Sequence, residues 1–315
     1  MSELTVGIDL GGTNMRAALV STKDGKLLTQ AKHKLSDRSP DAIAAALVGL
    51  VNEVDPERKR DGVGVGIAAM LRGWTGIVVN APNLGWREVA FRELVKKALA
   101  TNEPVELYND LNAIALGEQR YGAGQGARDV LCVYVGTGVG AGLVLDGRLY
   151  SGSTHLAGEL GHVKVVLENG RLCGCGQRGC LEAYTSGNHI AARAHEELLT
   201  RSSVAVEIAG SRLAVHAGHL DEAARRGDAY ALGLWDEISR TLGLGLGAAV
   251  TLINPGKLIL GGGVLTGAPL LADKVRERLH GAVNAASLLG FQIVYTTLGD
   301  DAGVLGAAAA IHESA

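Results

Sequence analysis

Three of the chain's four cysteines, Cys173, Cys175 and Cys180, fall within eight residues, and His162 lies shortly before them. Three thiols and one imidazole match the tetrahedral ligand demand of a structural Zn²⁺ ion. Glycines at 174, 176 and 179 suit a loop that must turn tightly, with positive φ angles, around one ion. Glu159 and Glu182 flank the ligands, so closing this loop on a metal draws two carboxylates towards the imidazole. The set reads as a substrate pocket braced by metal. Ordinary buried cysteines are the plainer alternative, and a disulfide is another. The clustering with glycines, the odd number of thiols and the lack of a secretory signal favour zinc. Cys132 sits in the apolar run Val130–Val135 and reads as core.

A second chemistry is phosphate binding. In Asp9-Leu-Gly-Gly-Thr-Asn-Met-Arg16, a hairpin tip of Gly11, Gly12, Thr13 and Asn14 offers backbone N–H groups and a hydroxyl to a phosphate tail. Asp9, at the strand end, is suited to hold Mg²⁺ through water. A plain glycine hairpin needs neither the acid nor the cation of this string. Gly136-Thr-Gly-Val-Gly-Ala-Gly142 repeats the strand–glycine turn–strand plan, with Thr137 and Gly138 at its tip, and so predicts an internally duplicated fold. Gly261, Gly262 and Gly263 follow a strand and leave room for a flat group such as adenosine. Asn109 and Asp110 stand where a strand ends and a helix begins. Either one serves as a helix cap, or the acid is a general base at the carboxyl end of a strand, where open α/β sheets bind ligands. Asn80 and Asn83 either serve the turn around Pro82 or present amides to sugar hydroxyls.

The elements that must position these groups follow from periodicity. Strands are expected at Leu4–Asp9, Ala17–Ser21, Gly62–Ala69, Gly76–Val79, Val105–Tyr108, Val130–Val135, Leu143–Leu145, Lys257–Leu260 and Gln292–Thr296. Helices are expected at Asp41–Val54, Val89–Ala100, around Gly187–Thr200, Arg212–Arg226, Ala229–Ala249, Leu270–His280 and Ala302–His312.

Composition bounds the rest. A chain of 315 residues suggests two domains. Hydrophobic residues make up 47% but aromatics only 4%, so the cores rely on aliphatic packing. A net charge of −3 argues against a nucleic-acid or anionic-membrane partner. The longest apolar stretch, Thr241–Leu265, is interrupted by glycines, Pro255 and Lys257, which reads as a buried helix, a turn and a strand and not a membrane span. With no signal-like N-terminus, a soluble cytoplasmic protein is expected.

Taken in order, Asp9–Arg16, Asn109-Asp110, Gly136–Gly142, Gly158-Glu-Leu-Gly-His162, Cys-x-Cys-Gly-x-x-Gly-Cys-x-Glu at 173–182 and Leu260–Val264 resemble the ROK family of bacterial repressors and sugar kinases, and within it the ATP-dependent kinases of glucose. The likeness runs from about residue 4 to about 312. It implies an α/β, two-domain actin-like ATPase fold, hexokinase-type and ribonuclease H-like, with an inter-domain cleft. By the same resemblance, residues 1–116 with a returning C-terminal helix at 301–315 form a small domain, and 117–300 a large domain carrying the zinc loop. The implied reaction is phosphorylation of a hexose by ATP with Mg²⁺. Asp110 is then the base, and Asn83, Asn109, Glu159, His162 and Glu182 are sugar contacts. Asp9, Gly11–Asn14, Thr137 and Gly138 cradle phosphates, and Gly261–Gly263 face adenosine. Relatives often form dimers or tetramers, so a homo-oligomer is expected. One departure falls in the loop Ala68-Ala69-Met70-Leu71-Arg72, where family members usually carry Pro-Gly. Too few residues precede the first glycine turn for a helix-turn-helix module, which argues against a repressor.

Overall fold

The computed structural model describes residues 3–311. In chain order its elements are β1 (Leu4–Leu10), β2 (Asn14–Ser21), β3 (Lys26–Lys34), α1 (Pro40–Val54), β4 (Val63–Ile67), β5 (Met70–Leu71), β6 (Val78–Ala81), β7 (Trp86–Val89), α2 (Phe91–Leu99), β8 (Val105–Asn109) and α3 (Asp110–Tyr121). There follow β9 (Val130–Val135), β10 (Val139–Leu145), β11 (Arg148–Leu149), α4 (Glu182–Thr185), α5 (Gly187–Glu197), α6 (Val204–Ala209), α7 (Ala217–Arg225) and α8 (Ala229–Ile253). The chain ends with β12 (Lys257–Gly261), α9 (Gly263–Gly267), α10 (Pro269–Ala282), β13 (Gln292–Tyr295) and α11 (Ala302–Ala310). His312, where the sequence places the end of the last helix, lies with residues 313–315 outside the described residues.

Two five-stranded sheets share one plan. The first runs β3-β2-β1-β4-β8, the second β11-β10-β9-β12-β13. In the first, β1–β2 and β2–β3 are antiparallel while β1–β4 and β4–β8 are parallel. In the second, β10–β11 is antiparallel and β12–β13 parallel. The duplication read from two glycine hairpins is thus a duplication of whole sheets, and the architecture is the actin-like ATPase, hexokinase-type one. A third, three-stranded sheet, β5-β6-β7, was not expected. Its strands are short, Asn80 stands inside one of them, and the turn that joins β6 to β7 carries Pro82 and Gly85, residues that mark the segment as turn.

The chain divides into two compact units. One comprises the stretch up to Cys132, Gly142–Gly158 and the stretch from Thr296 on; the other comprises Val133–Ala141 and Glu159–Tyr295. In the first unit, alternation along β1 sends Val6, Ile8 and Leu10 into a core shared with Ile43, Leu47, Leu50 and Val95 of α1 and α2. The opposite face carries Gly7 and Asp9. There α11 lies on the sheet so closely that a Cβ on Gly64 would stand 1.9 Å from the Ala307 carbonyl oxygen, and one on Gly306 would stand 1.6 Å from that of Ala113 in α3. Main-chain approach of this kind leaves no room for a side chain. It fixes α3, and with it the residue that opens α3, Asp110.

In the second unit, α8 packs against α10 along Leu242, Leu246, Val275 and Leu279, all fully buried. Buried Asp221 of α7 accepts from Trp235 Nε1 at 2.9 Å and from the Leu271 N–H at 3.2 Å. One carboxylate thereby joins three helices. Among the described residues no helix is long and apolar enough to cross a membrane.

A metal-ligand cluster and two glycine turns

His162 Nδ1 or Nε2 and the Sγ atoms of Cys173, Cys175 and Cys180 all lie within 4.8 Å of one another. His162 Nδ1 is 3.8 Å from Cys173 Sγ, and Cys175 Sγ is 3.7 Å from Cys180 Sγ. Bonds of about 2.3 Å to sulfur and about 2.0–2.1 Å to nitrogen at tetrahedral angles put ligand atoms roughly 3.6–3.8 Å apart. The donor set therefore fits Zn²⁺ in chemistry and in spacing. Gly176 and Gly179 have φ of 84° and 80°, as the wrapping required, and a Cβ on Gly179 would lie 1.9 Å from the Val166 carbonyl oxygen. Gly174 is different: its φ is not positive, and nothing stands where its side chain would be.

Around the cluster, Lys164 Nζ donates to Cys180 Sγ at 3.1 Å, an ammonium placed against one of the candidate ligand sulfurs. Lys164 stands two positions after His162 and pairs with Cys180 across an antiparallel bridge, a role that no motif in the sequence signals. Glu159 Oε2 lies 3.7 Å from His162 Nε2, on the ring edge away from the cysteines. Burial pushes the Cys173 thiol up to about 12 where no metal charge offsets it.

Glu182 reaches the other way. Its Oε2 accepts from the Val139 N–H at 2.9 Å while its Oε1 lies 3.7 Å from Cys173 Sγ. It thus touches the glycine turn that contains Thr137 and Gly138. That turn is shorter than expected, because Gly140 and Gly142 belong to β10. Gly142 is a strand residue under pressure from α3, where a Cβ would meet the Leu111 carbonyl oxygen at 2.4 Å. Of the glycine triplet, Gly261 is filled by the Tyr134 ring and Gly262, at φ 87°, by the Val135 carbonyl. Only Gly263 opens onto free space.

In the first unit, the tip Gly11–Thr13 is closed by the Gly11 N–H donating to the Asn14 carbonyl at 3.0 Å. A Cβ on Gly12 would lie 3.0 Å from Asn83 Cβ, so the β6–β7 turn rests on the glycine turn. Gly12 and Asn83, far apart in the sequence, are brought into contact by the fold. Arg16 is engaged by Asp300 and Asp301 through contacts of 3.3 and 3.1 Å. Asp9 faces Gly303, whose Cβ would lie 3.4 Å from the Asp9 carboxyl carbon. Burial pushes the Asp9 carboxyl above the usual carboxylate range, with Arg16 opposing the rise and Asp300 adding to it. A carboxyl raised by folding lends stability only while protonated and withdraws it as pH climbs through its folded-state pKa. Asp9→Asn is therefore expected to melt like the natural protein in acid and at a higher temperature near neutrality. Melting curves from about pH 3 to pH 8 check this; a gap that failed to widen with pH would contradict it.

Asn109 and Asp110 have separate roles in the local structure. Asn109 Oδ1 caps α3, accepting from the Leu111 and Asn112 N–H groups at 3.0 and 3.3 Å, and Asn109 Nδ2 donates to the Ala69 carbonyl at 3.3 Å. Asp110 Oδ1 accepts from its neighbour Leu111 N–H at 3.0 Å. Beside them, Leu71, Trp74, Asn112, Ser151 and His155 line a small pocket. Trp74 meets Tyr108 and His155 edge-on at 5.9 and 4.9 Å. Nothing in the sequence pattern announced this aromatic contact, which joins segments far apart in the chain.

The family model described as the ROK family matches residues 5–314. The chain is 35% identical over 311 residues to a glucokinase of Thermotoga maritima, covering 98% of this chain and 97% of the relative. It is similar to the ROK family glucokinase of Streptomyces griseus, solved in complex with glucose and AMPPNP, with a TM-score of 0.79 and 34% identity over 97% of this chain and 98% of that one. The ROK hexokinase of Thermus thermophilus is similar at a TM-score of 0.84 and 30% identity, covering 99% and 98%.

Proposed function

Since the chain belongs to the ROK family over almost its whole length, we propose that it transfers the terminal phosphoryl group of ATP to the 6-hydroxyl of glucose, yielding glucose 6-phosphate and ADP. The observation that carries this reading is the position of Asp110. It opens α3 at the carboxyl end of β8, which runs parallel to β4, the end of an open α/β sheet where ligands bind.

In this reading the Asp110 carboxylate takes the proton of the 6-hydroxyl as bonding to phosphorus develops. Asn109 and Asn83 contact the sugar, and Glu159, His162 and Glu182 hold hydroxyls near C1 and C2. The Gly11–Asn14 tip, Thr137 and Gly138 present amides and hydroxyls to the phosphates, and phosphoryl transfer depends on just this positioning and charge neutralisation. Asp9 holds Mg²⁺, which when bound offsets charge on the transferring group. Gly261–Gly263 lie towards the adenosine, with Gly263 the position that has room. His162, Cys173, Cys175 and Cys180 hold a structural Zn²⁺ with no coordination position left open, so it braces the loop and activates nothing.

Hexose selectivity rests on the loop 68–72, which leads through Ala69 to Asn109. ADP release from Mg-ATP with glucose, mannose, fructose, N-acetylglucosamine and N-acetylmannosamine tests the reading. Glucose is expected to lead by at least about tenfold in kcat/KM, the scale on which differential hydroxyl contacts discriminate. Another preferred sugar would keep the kinase and move the specificity. No turnover with any of the five would overturn the reading.

A further inference from the structure

We infer that Glu182 is a positioning residue that carries the rigidity of the metal loop to the Gly136–Gly138 turn, so that nucleotide binding depends on this carboxylate even before sugar is present. The nucleotide clause rests on the function proposed above; the bracing clause does not.

Every link lies within the second unit. Cys180, fully buried, belongs to the candidate metal-ligand cluster, and Leu181 beside it is fully buried as well. Two residues after Cys180, the Glu182 carboxylate leaves this fixed point and accepts from the Val139 N–H at 2.9 Å, where the glycine turn enters β10. Beyond α4, at the first residue of α5, the Gly187 N–H donates to the Gly136 carbonyl at 2.7 Å. The segment 180–187 therefore grips the turn on both sides. Within the turn, the Gly136 N–H donates to the Gly138 carbonyl at 2.9 Å. A Cβ on Gly138 would stand 2.6 Å from Glu182 Oε2, so Gly138 is glycine in part because the carboxylate passes there.

A phosphate-binding turn works by holding its amides in place before the anion arrives. The turn's own hydrogen bond joins Gly136 to Gly138, and the Val139 N–H that follows is held by the Glu182 carboxylate. Here a charge-assisted hydrogen bond supplies the restraint, and the metal loop sets where that carboxylate stands. A second-sphere group of this kind orients what it touches without contacting the reacting atoms.

The test compares Glu182→Ala with Glu182→Gln, whose side-chain carbonyl still accepts from the Val139 N–H. Amide exchange of Val139 in the ligand-free protein is expected to rise about tenfold in the Ala variant, the scale of one charge-assisted hydrogen bond, and to stay near the natural rate in the Gln variant. Mg-ADP affinity without sugar should fall by a similar factor in Ala and recover in Gln. Val139 exchange at the natural rate in Glu182→Ala would overturn the inference. So would unchanged Mg-ADP affinity accompanied by a raised glucose KM, which makes Glu182 a sugar contact alone. If the natural protein binds no Mg-ADP, the kinase reading fails, while faster Val139 exchange in the Ala variant still upholds the bracing. Should Glu182→Ala not fold, Gly138→Ala displaces the carboxylate from the other side, and the same rise in Val139 exchange is expected.

Discussion

Asp110→Asn is expected to lower turnover by about 10²–10⁴-fold, the usual worth of a positioned general base, with the melting temperature little changed. The structural argument turns on which residue caps α3. From sequence, Asn109 and Asp110 were equal candidates for the cap, and a capping Asp110 would have made loss of activity a trivial result of a frayed helix. Asn109 fills that role, receiving the Leu111 and Asn112 N–H groups. The variant retains an oxygen for the Leu111 N–H that Asp110 accepts, and the helix-terminus charge effect it gives up is about 0.3–1 kcal/mol. Helix α3 is also held by main-chain contact with α11 at Gly306, which no change at Asp110 touches. Stability and catalysis can therefore be separated at this position. Glucose affinity from equilibrium binding should stay within a few-fold, while kcat collapses. A kcat near the natural value would remove Asp110 as the base. Asn109→Ala makes the contrast: it should cost about 1 kcal/mol of stability through the lost cap and also free the Ala69 carbonyl.

The strands that lead into the glycine turns were legible because each is an apolar run that ends at glycine, as β1, β9 and β12 do, and both glycine hairpins appeared where the sequence put them. What the sequence concealed was how glycine is used. Gly140 and Gly142 read as turn, yet they continue β10, since what excludes a side chain at Gly142 is helix α3 pressing on the strand. Likewise two of the three glycines at 261–263 are filled by neighbours from β9, and composition cannot distinguish a glycine that admits a ligand from one that admits a ring of the protein itself. The helix expected from Val89 begins at Phe91, because Val89 ends β7. The segment expected as a single helix at Arg212–Arg226 is a 3₁₀ turn, Arg212–Ala214, followed by α7 from Ala217, broken where His216 caps the helix by accepting from the Gly218 N–H. Short polar strands and a cap made by histidine have weak local signatures. The metal cluster was the opposite case: three thiols and an imidazole between residues 162 and 180 leave few ways to fold, and these candidate ligand atoms do converge.

The second large effect concerns that cluster, and Cys175 is the residue that isolates it. Cys173 and Cys180 are 3% and 0% exposed and pack with Ala183 and Tyr184, so replacing either disturbs a core as well as a ligand set. Cys175 is exposed. If it bound nothing, Cys175→Ser would be an ordinary surface change worth within about 0.5 kcal/mol. As a zinc ligand it is expected to lower stability by about 3–5 kcal/mol, because metal-binding energy becomes folding energy when ligands converge only in the folded chain. In a chain of this size that corresponds to roughly 5–10 °C in melting temperature. Glucose affinity should fall together with stability, since His162 is both a proposed metal ligand and a proposed sugar contact, and the natural protein stripped by a chelator should behave like the variant. Metal retention should also weaken in acid: Cys173, held near 12 by burial when no metal charge is present, must give up its proton to bind, so protons compete with zinc. Metal content measured beside melting curves for the natural protein, the variant and the chelated form decides the matter. A variant that kept its melting temperature while losing its zinc would show that the ion is carried by the loop without bracing it, and the support for His162 and Glu182 would then have to come from the protein alone.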